Sequence, residues 1–524
     1  LRLSELQRFE VVADGDPEAL LAAVAERAGL VAVASVAARR VFLDTPDGRL
    51  GATGTTLEIR TPVRGRKAST LLWTSVVSGD SLAAVELTVG ADPPRFASDL
   101  PDASGSRRLA DLIEMRALVA QAEVMSRLTT LVLLDGEGKT TVRVLLDHST
   151  PLGRAPLPSV VELLPVRGYG REATALGELL AAQVTLRPLP LPLVDLARQA
   201  LGSPAYLSSK LRLALDRNAD AETAWRTVLV TLNATMTDNL EGTRTDADSE
   251  FLHDFRVAVR RTRSVLQEGV DVLAPDARDR WRGEFKWLGD ITTPTRDADV
   301  HLLDLPALMA TLPPERAADL SPLRGLLIDR QRRSHEQLVA DLASDRHASL
   351  VEQWPDFLEA PWVETGPEAN ERGNLVAAQR LAKAWKRVVR DGRRIDEGSL
   401  AEALHDLRKD AKRLRYLLEC FGSLLDPQQV AMAVKALKGL QDCLGEFQDT
   451  EVQAVALAGF ADALLARGDV AAATLLAMGG VVEHLDDRGR TARHRFAERF
   501  ATFDHPDIRR VFRRLIDIPE DTDG

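Results

Sequence analysis

The sequence predicts an α+β protein of two domains, an antiparallel β-sheet or barrel followed by an all-α part built from two similar helical bundles. Three observations carry that reading. Short β-rich runs separated by turn signals fill the chain up to about residue 200. Helical periodicity takes over from about residue 205. The helical part also contains an internal duplication, seen as one basic motif that occurs twice in constant register.

In chain order, strands are expected at 41–43, 55–60, 70–77, 84–89, 127–134, 140–146 and 160–164, with turns at Pro46-Asp47-Gly48 and Asp135-Gly136-Glu137-Gly138. Helices are expected near 17–29, 107–122 and 172–184. A proline-rich joint at 187–192 precedes the helical part. These signals divide the chain into a domain over 1–204, a linker over 205–211 and a helical domain over 212–518. The helical domain has halves at about 212–353 and 373–518, and the Pro-, Gly- and acid-rich stretch from Trp354 to Gly373 connects them.

The repeated motif reads His253-x-x-Arg256-x-x-x-Arg260-Arg261-x-Arg263 and then His405-x-x-Arg408-x-x-x-Lys412-Arg413-x-Arg415. The offset, 405 − 253 = 152, also carries Lys286 onto Lys438, Leu288 onto Leu440, Asp290 onto Asp442 and Asp297 onto Asp449. At about 100° per residue, His253, Arg256, Arg260 and Arg263 fall within roughly 80° of one another, and so do their four counterparts. Each set forms a stripe on one helix face. Like charges at this spacing repel by a few tenths of a kcal/mol per pair. The positions between them drifted, Val257 becoming Lys409 and Thr262 becoming Leu414, while the basic ones held. A cationic row kept in both copies points to an anion that neutralises it.

Composition narrows the anion. The chain of 524 residues has a formal net charge of −11, so a polyanion site must be a local cationic patch in a repelling field, which disfavours indiscriminate binding to nucleic acid. Aromatic residues make up only 5% of the chain and are sparse in the stripes, leaving little basis for base stacking. Cys420 and Cys443 give no disulfide framework and read as core residues. No apolar run reaches the roughly 20 residues that span a bilayer, and no signal-peptide pattern precedes the first strand, so a cytoplasmic location is expected. His335 and His347 are isolated and no metal site is expected. Gly51-Ala52-Thr53-Gly54 lacks the Lys-Ser/Thr ending of a phosphate loop. A further basic run, Arg380-x-x-Lys383-x-x-Lys386-Arg387-x-x-Arg390, either extends an anion groove or covers an exposed helix face.

The duplicated motif, each copy followed by Lys-x-Leu-x-Asp and a later Asp, resembles the CHAD domain over about residues 212–518. That resemblance implies two pseudo-symmetric four-helix bundles whose basic faces bind inorganic polyphosphate. It implies anion-contacting roles for His253, Arg256, Arg260, Arg261, Arg263 and Lys286, and for His405, Arg408, Lys409, Lys412, Arg413, Arg415 and Lys438. Association with polyphosphate granules would follow from that ligand. The chemistry agrees, because a polymer with about one charge per phosphate and no base to read needs only charge-assisted hydrogen bonds repeated along a line. Asp254, Asp290, Asp297 and their counterparts are expected to orient arginines or cap helices.

The first part resembles the CYTH domain, a triphosphate tunnel fold, through Val41 to Leu50, Thr56 to Arg60, Leu146-Asp147, Val161-Glu162-Leu163 and Ser209-Lys210. Active members open on a Glu-x-Glu-x-Lys strand and hold a triphosphate and divalent metal ions. Here the opening is Glu5-Leu6-Gln7-Arg8-Phe9, without the second carboxylate or the lysine. Glu5, Arg60, Glu86, Arg127, Asp147 and Glu162 are the remaining candidates. Metal-assisted hydrolysis needs several carboxylates and cations together. The expectation is therefore a non-enzymatic polyphosphate-binding protein without cofactor. The alternatives are a metal-dependent triphosphatase or polyphosphate hydrolase in the tunnel, and nucleic-acid binding by the basic face.

Overall fold

A computed structural model describes residues 7–12, 25–26, 28–64, 68–75, 81–87, 93–102, 105–183, 186–189, 191–203, 206–207, 211, 213–359, 361–468 and 470–517. Contacts divide the chain into two units, Leu1–Leu207 and Ser208–Gly524.

The first unit is one antiparallel sheet curled into a half-barrel. Its strands are β1 (Gln7–Val11), β2 (Val31–Asp44), β3 (Thr55–Pro62), β4 (Thr70–Ser75), β5 (Ser81–Glu86), β6 (Val119–Leu134), β7 (Thr140–Pro151), β8 (Val160–Pro165) and β9 (Leu186–Pro188). They are ordered β5-β4-β3-β2-β6-β7-β8-β1-β9. Turn chemistry sets the register. Asp135 Oδ1 accepts from the backbone N–H groups of Glu137 and Lys139, both at 2.9 Å, and Gly138 supplies φ = 78°. At the Pro46-Asp47-Gly48 turn, φ of 70° and a ring that a Cβ would meet at 2.7 Å, that of Tyr206, both require glycine. The helices whose ends lie among the described residues of this unit are α1 (Arg49–Ala52), α2 (Ser106–Ile113), α3 (Gly170–Gln183) and α4 (Leu193–Leu201).

Several expectations change here. The helix expected over 107–122 stops at Ile113, where Glu114 takes φ = 52°, and Val119 begins a strand. Residues 119–132 pair with β2 along its whole length, and that long ladder overrides the helical propensity of the segment. The helix expected over 17–29 lies mostly outside the described residues, of which Ala25 and Glu26 are helical. The proline-rich joint is part of the first unit, since Leu186–Pro188 pairs with β1 and Pro192 caps α4.

The second unit is helical. It comprises α5 (Ala221–Arg244), α6 (Ser249–Glu268), α7 (Pro275–Ile291), α8 (Thr293–Met309), α9 (Pro314–Ala318), α10 (Ser321–Leu342), α11 (Asp345–Glu359), α12 (Gly373–Gly392), α13 (Ala401–Phe421), α14 (Pro427–Arg467), α15 (Ala472–Phe503) and α16 (Pro506–Ile516). The duplication is visible in the helix starts, since 373 − 221, 401 − 249 and 427 − 275 all equal 152. The copies then differ at one point. Pro294 in the first copy has no N–H to continue the ladder, and the chain breaks between α7 and α8; its counterpart is Glu446, and α14 runs unbroken for 41 residues.

The halves do not keep separate cores. One apolar cluster runs from Trp225 and Phe255 of the first half to Phe421, Phe447 and Phe512 of the second, with the Trp225 and Phe421 rings 4.1 Å apart. A second cluster joins Leu305, Leu323 and Leu327 to Phe460, Leu464 and Val481. Contrary to expectation, Trp354 and Pro355 lie inside α11, and the irregular connection begins only after Glu359. That connection is fastened to the first half by bridges from Thr365 to Leu273 and from Arg372 to Asp220. No helix among the described residues is long and apolar enough to cross a membrane.

Candidate functional site

The basic stripes lie on α6 and α13, whose opposite faces supply the core. Helix α6 starts at Asp248, which accepts from the N–H groups of Glu250 and Phe251 at 2.9 and 3.2 Å. It buries Phe251, Leu252, Phe255, Ala258, Val259, Val265 and Leu266. Helix α13 buries Leu404, Leu407, Ala411, Leu414, Leu417 and Leu418 at the same period. The cations that remain on the outer faces meet at a groove.

Two adjoining cavities of about 790 and about 1360 Å³ make up this groove, and both are lined by His253, Arg260, Arg408, Lys412 and Asp449. The larger also has Arg256 and His405 in its wall, and the smaller has Arg261 and Arg415. The helix break made by Pro294 seats Arg256, whose Nη1 donates to the Gly289 carbonyl at 3.0 Å and to the hydroxyls of Thr292 and Thr293 at 2.6 and 3.0 Å. In the unbroken copy Arg408 donates to Gln448 at 2.7 Å and to the Asp449 carboxylate at 3.0 Å. His405 Nε2 lies 2.7 Å from Glu451 Oε2.

Both cavities are lined by cations and carboxylates, but three of the cations are left out of the pairing. Arg256, Arg260 and Lys412 make no ion pair with a carboxylate among the described residues, and the buried Nε atoms of Arg256 and Arg260 lack hydrogen-bond partners there. Burial pulls the Lys412 ammonium down to about 8, and Arg408 and Arg260 push it the same way. Burial likewise lowers Arg256 to about 10, with Arg260 the largest like charge against it.

Other expected residues are held by carboxylates of the chain or lie outside the groove. Arg261 and Arg413 lie about 80° round the helix from the histidines. Each crosses to the neighbouring stripe helix: Arg261 pairs with Glu419 at 2.6 Å, and Arg413 pairs with buried Glu268. They tie the two helices together. Arg415 is held by Glu419 at 2.6 Å and by Gln441 at 3.3 Å. Arg263 and Lys286 line a separate cavity, Lys409 pairs with Asp406 on an exposed face, and Lys438 is exposed and lines neither groove cavity. Of the aspartates, Asp449 orients Arg408 and Asp290 accepts from Lys286 at 2.8 Å. Arg380 neither extends the groove nor covers an open face: it donates to the Glu268 and Val270 carbonyls and pairs with Glu368, fastening α12 to the end of α6.

The groove also contains cations that the sequence did not single out. Arg296 and Arg330 line the larger cavity. Arg296 stands next to Asp297, which the repeat did mark, but the offset turns it into Gln448, so the comparison of copies passed over it.

Three of the residues expected to remain from a triphosphate tunnel, Arg60, Asp147 and Glu162, are each paired with a residue outside that set. Arg40 Nε donates to Glu58 at 2.6 Å and its Nη1 to Asp147 at 2.5 Å, and Arg60 also pairs with Glu58. Arg40, Glu58 and Asp147 are all buried. Burial pushes Glu58 up, but Arg40 and Arg60 outweigh it and hold the carboxyl below its usual range. Asp147 additionally accepts from Ser149 at 2.5 Å, and Glu162 pairs with Arg8 at 2.5 Å. Arg127 stands opposite His148 in the sheet. Glu5, Ser209 and Lys210 lie outside the described residues, as does the side chain of Glu86. Arg40, the centre of this network, was not among the sequence candidates.

Residues 227–458 match the family model of the CHAD domain. The uncharacterized protein Rv2226 of Mycobacterium tuberculosis is 28% identical over 211 residues, a match that covers 38% of this chain and 38% of that protein, so the chain spans well under half the length of the curated relatives it matches. Among solved structures, the CHAD domain of the plant Ricinus communis is similar at 24% identity over 54% of this chain and 95% of that one, with a TM-score of 0.44. The Hippeastrum protein HpAC1, described as having a dominant triphosphatase activity, is similar at 18% identity over 37% of this chain and 94% of that one, with a TM-score of 0.28. The matched segment carries both stripes and every residue common to the two cavities: residues 227–458 are a CHAD domain.

Proposed function

We propose that the groove between α6 and α13 binds inorganic polyphosphate without hydrolysing it, within a functional unit of residues 212–518. The observation that carries this reading is the meeting of Arg256, Arg260 and Lys412 in a groove where no carboxylate pairs with them among the described residues. Desolvated like charges held together raise the energy of the empty site. A polyanion lying along the groove relieves that cost and supplies acceptors for the unpartnered guanidinium nitrogens. Arg408 and His405, already oriented by Asp449 and Glu451, extend the line of donors. The absence of hydrolysis rests on the first unit, where Arg40 and Arg60 between them pair with Glu58 and Asp147, and carboxylates so engaged are poor metal ligands. Association with polyphosphate granules follows from the proposed ligand.

The test is titration of long-chain polyphosphate into the full chain at two salt concentrations, with magnesium present and free phosphate monitored. Tight, salt-sensitive binding without phosphate release is expected. Release of phosphate would move the activity to the half-barrel, and equal competition by RNA of matched charge would replace polyphosphate by a general polyanion.

A further inference from the structure

A cavity of about 330 Å³ between α6 and α7, sharing no residue with the groove, is lined by Arg263, Gln267, Asp279, Arg282, Gly283 and Lys286. Three cations and one carboxylate line it, and Asp290, outside the lining, accepts from Lys286 at 2.8 Å. The second copy of the repeat shows what is unusual about it. Arg415, the counterpart of Arg263, is held by Glu419 and Gln441. In the first copy those two positions are Gln267 and Gly289, since 419 − 267 and 441 − 289 both equal 152. Arg263 has lost both partners and makes no ion pair among the described residues.

Two glycines keep the space open. A Cβ at Gly289 would come within 3.1 Å of Arg263 Nη1. A Cβ at Gly283 would meet nothing within 4 Å, so a side chain there would have room to occupy the cavity. Glycine is an unfavourable residue in a helix interior, and here it leaves the position beside the cations empty. The only carboxylate in the lining, Asp279, is engaged by Arg278 at 2.9 Å and lies 3.5 Å from Arg282. The volume holds one tetrahedral anion and several waters, a water's share being roughly 30 Å³.

We propose that Arg263, Arg282 and Lys286 form a second anion site, sized for a single phosphate group and independent of the groove. Arginine forks and a lysine point charge suit a phosphate dianion, and its source is either free inorganic phosphate or the terminal phosphate of a polyphosphate chain. The loss of Glu419's and Gln441's equivalents converts a structural arginine of the repeat into a binding one.

The test follows the Arg263 side-chain Nε–H signal of the full chain by NMR during titration with inorganic phosphate. A saturable shift is expected, weakened about tenfold in Arg282→Gln combined with Lys286→Gln, as loss of charge-assisted bonds predicts. The double change Gln267→Glu with Gly289→Gln rebuilds the partners of Arg415 around Arg263, keeps all three cations and should also suppress the shift. Should that variant fail to fold, Gln267→Glu alone makes the same prediction. Arg256→Ala with Arg408→Ala, which disables the groove, should leave the phosphate shift intact and so separates failure of this site from failure of the groove. A shift caused by long-chain polyphosphate but not by inorganic phosphate assigns the site to chain ends. No shift with either, or a shift unchanged in Arg282→Gln with Lys286→Gln, overturns the proposal.

Discussion

The half-barrel and the helical groove are built from the same charged residue types and treat them in opposite ways. In the half-barrel, Arg40 is buried against Glu58 and Asp147, and Arg8 is paired with Glu162. In the groove, Arg256, Arg260 and Lys412 are gathered without a carboxylate of their own. A buried cation with its counter-ion supplied by the chain is a structural element. A buried cation without one needs a neutralising group from outside. The contrast is between a network at Arg40 that closes on the chain's own carboxylates and groove cations that no ion pair closes among the described residues.

This contrast can be broken most forcefully at Arg40. Arg40→Ala strands Glu58 and Asp147 in the core, and removing one member of a buried ion network costs about 3–5 kcal/mol. Urea unfolding should show the loss in the transition of the first unit, with polyphosphate affinity of the remaining folded protein unchanged. The groove should respond the other way round. Arg256→Ala with Arg408→Ala should weaken polyphosphate binding by about 100-fold, since each charge-assisted bond contributes about 1.5–3 kcal/mol. The slope of log affinity against log salt should fall by about 0.7 per lost phosphate contact, as for single-stranded polyanions.

Lys412 sharpens the comparison further. Lys412→Met should weaken binding by about tenfold and yet raise Tm, because it removes a desolvated cation pressed by Arg408 and Arg260. The wild-type pH dependence has a definite sign. The folded-state value of about 8 lies below the ordinary lysine value, so between about pH 8 and 10.5 the unfolded chain binds the proton and the folded chain does not. Stability from this group therefore rises with pH across that window, while polyphosphate affinity falls as pH rises through about 8. Calorimetry at pH 8 in buffers of different ionisation enthalpy should detect proton uptake on binding, and Lys412→Met should abolish it. The smallest effects are expected at Lys409→Ala and Lys438→Ala, which should change affinity by less than about twofold because exposed charges outside the groove are screened.

Much of this molecule was legible in the sequence. The constant offset between copies predicted a repeated helical architecture, and the helix starts at Ala221, Ser249 and Pro275 recur at Gly373, Ala401 and Pro427. β-Rich runs bounded by turn residues located strands β3, β4, β7 and β8 to within a few residues, because strand propensity and turn chemistry are local properties of the chain. The cations that reach the centre of the groove were named from the stripe spacing alone, because helical period is a local property too. The helix break at Pro294 was not read from the sequence, nor was its use in seating Arg256.

Only the tertiary structure decided which cations are free. Arg261 and Arg413 match the motif as well as Arg260 and Lys412 do, but Glu419 and Glu268 neutralise them from the opposite helix, at sequence separations of 158 and 145 residues. Residues 119–126 became strand through pairing with β2, and Arg40 became the centre of a buried network by reaching Asp147 across 107 residues. Periodicity fixes which side of a helix or strand a residue occupies, because that depends on its immediate neighbours in the chain. Whether a charge on that side is paired or waiting for a ligand depends on what another element brings opposite it, and that is settled only when the elements pack.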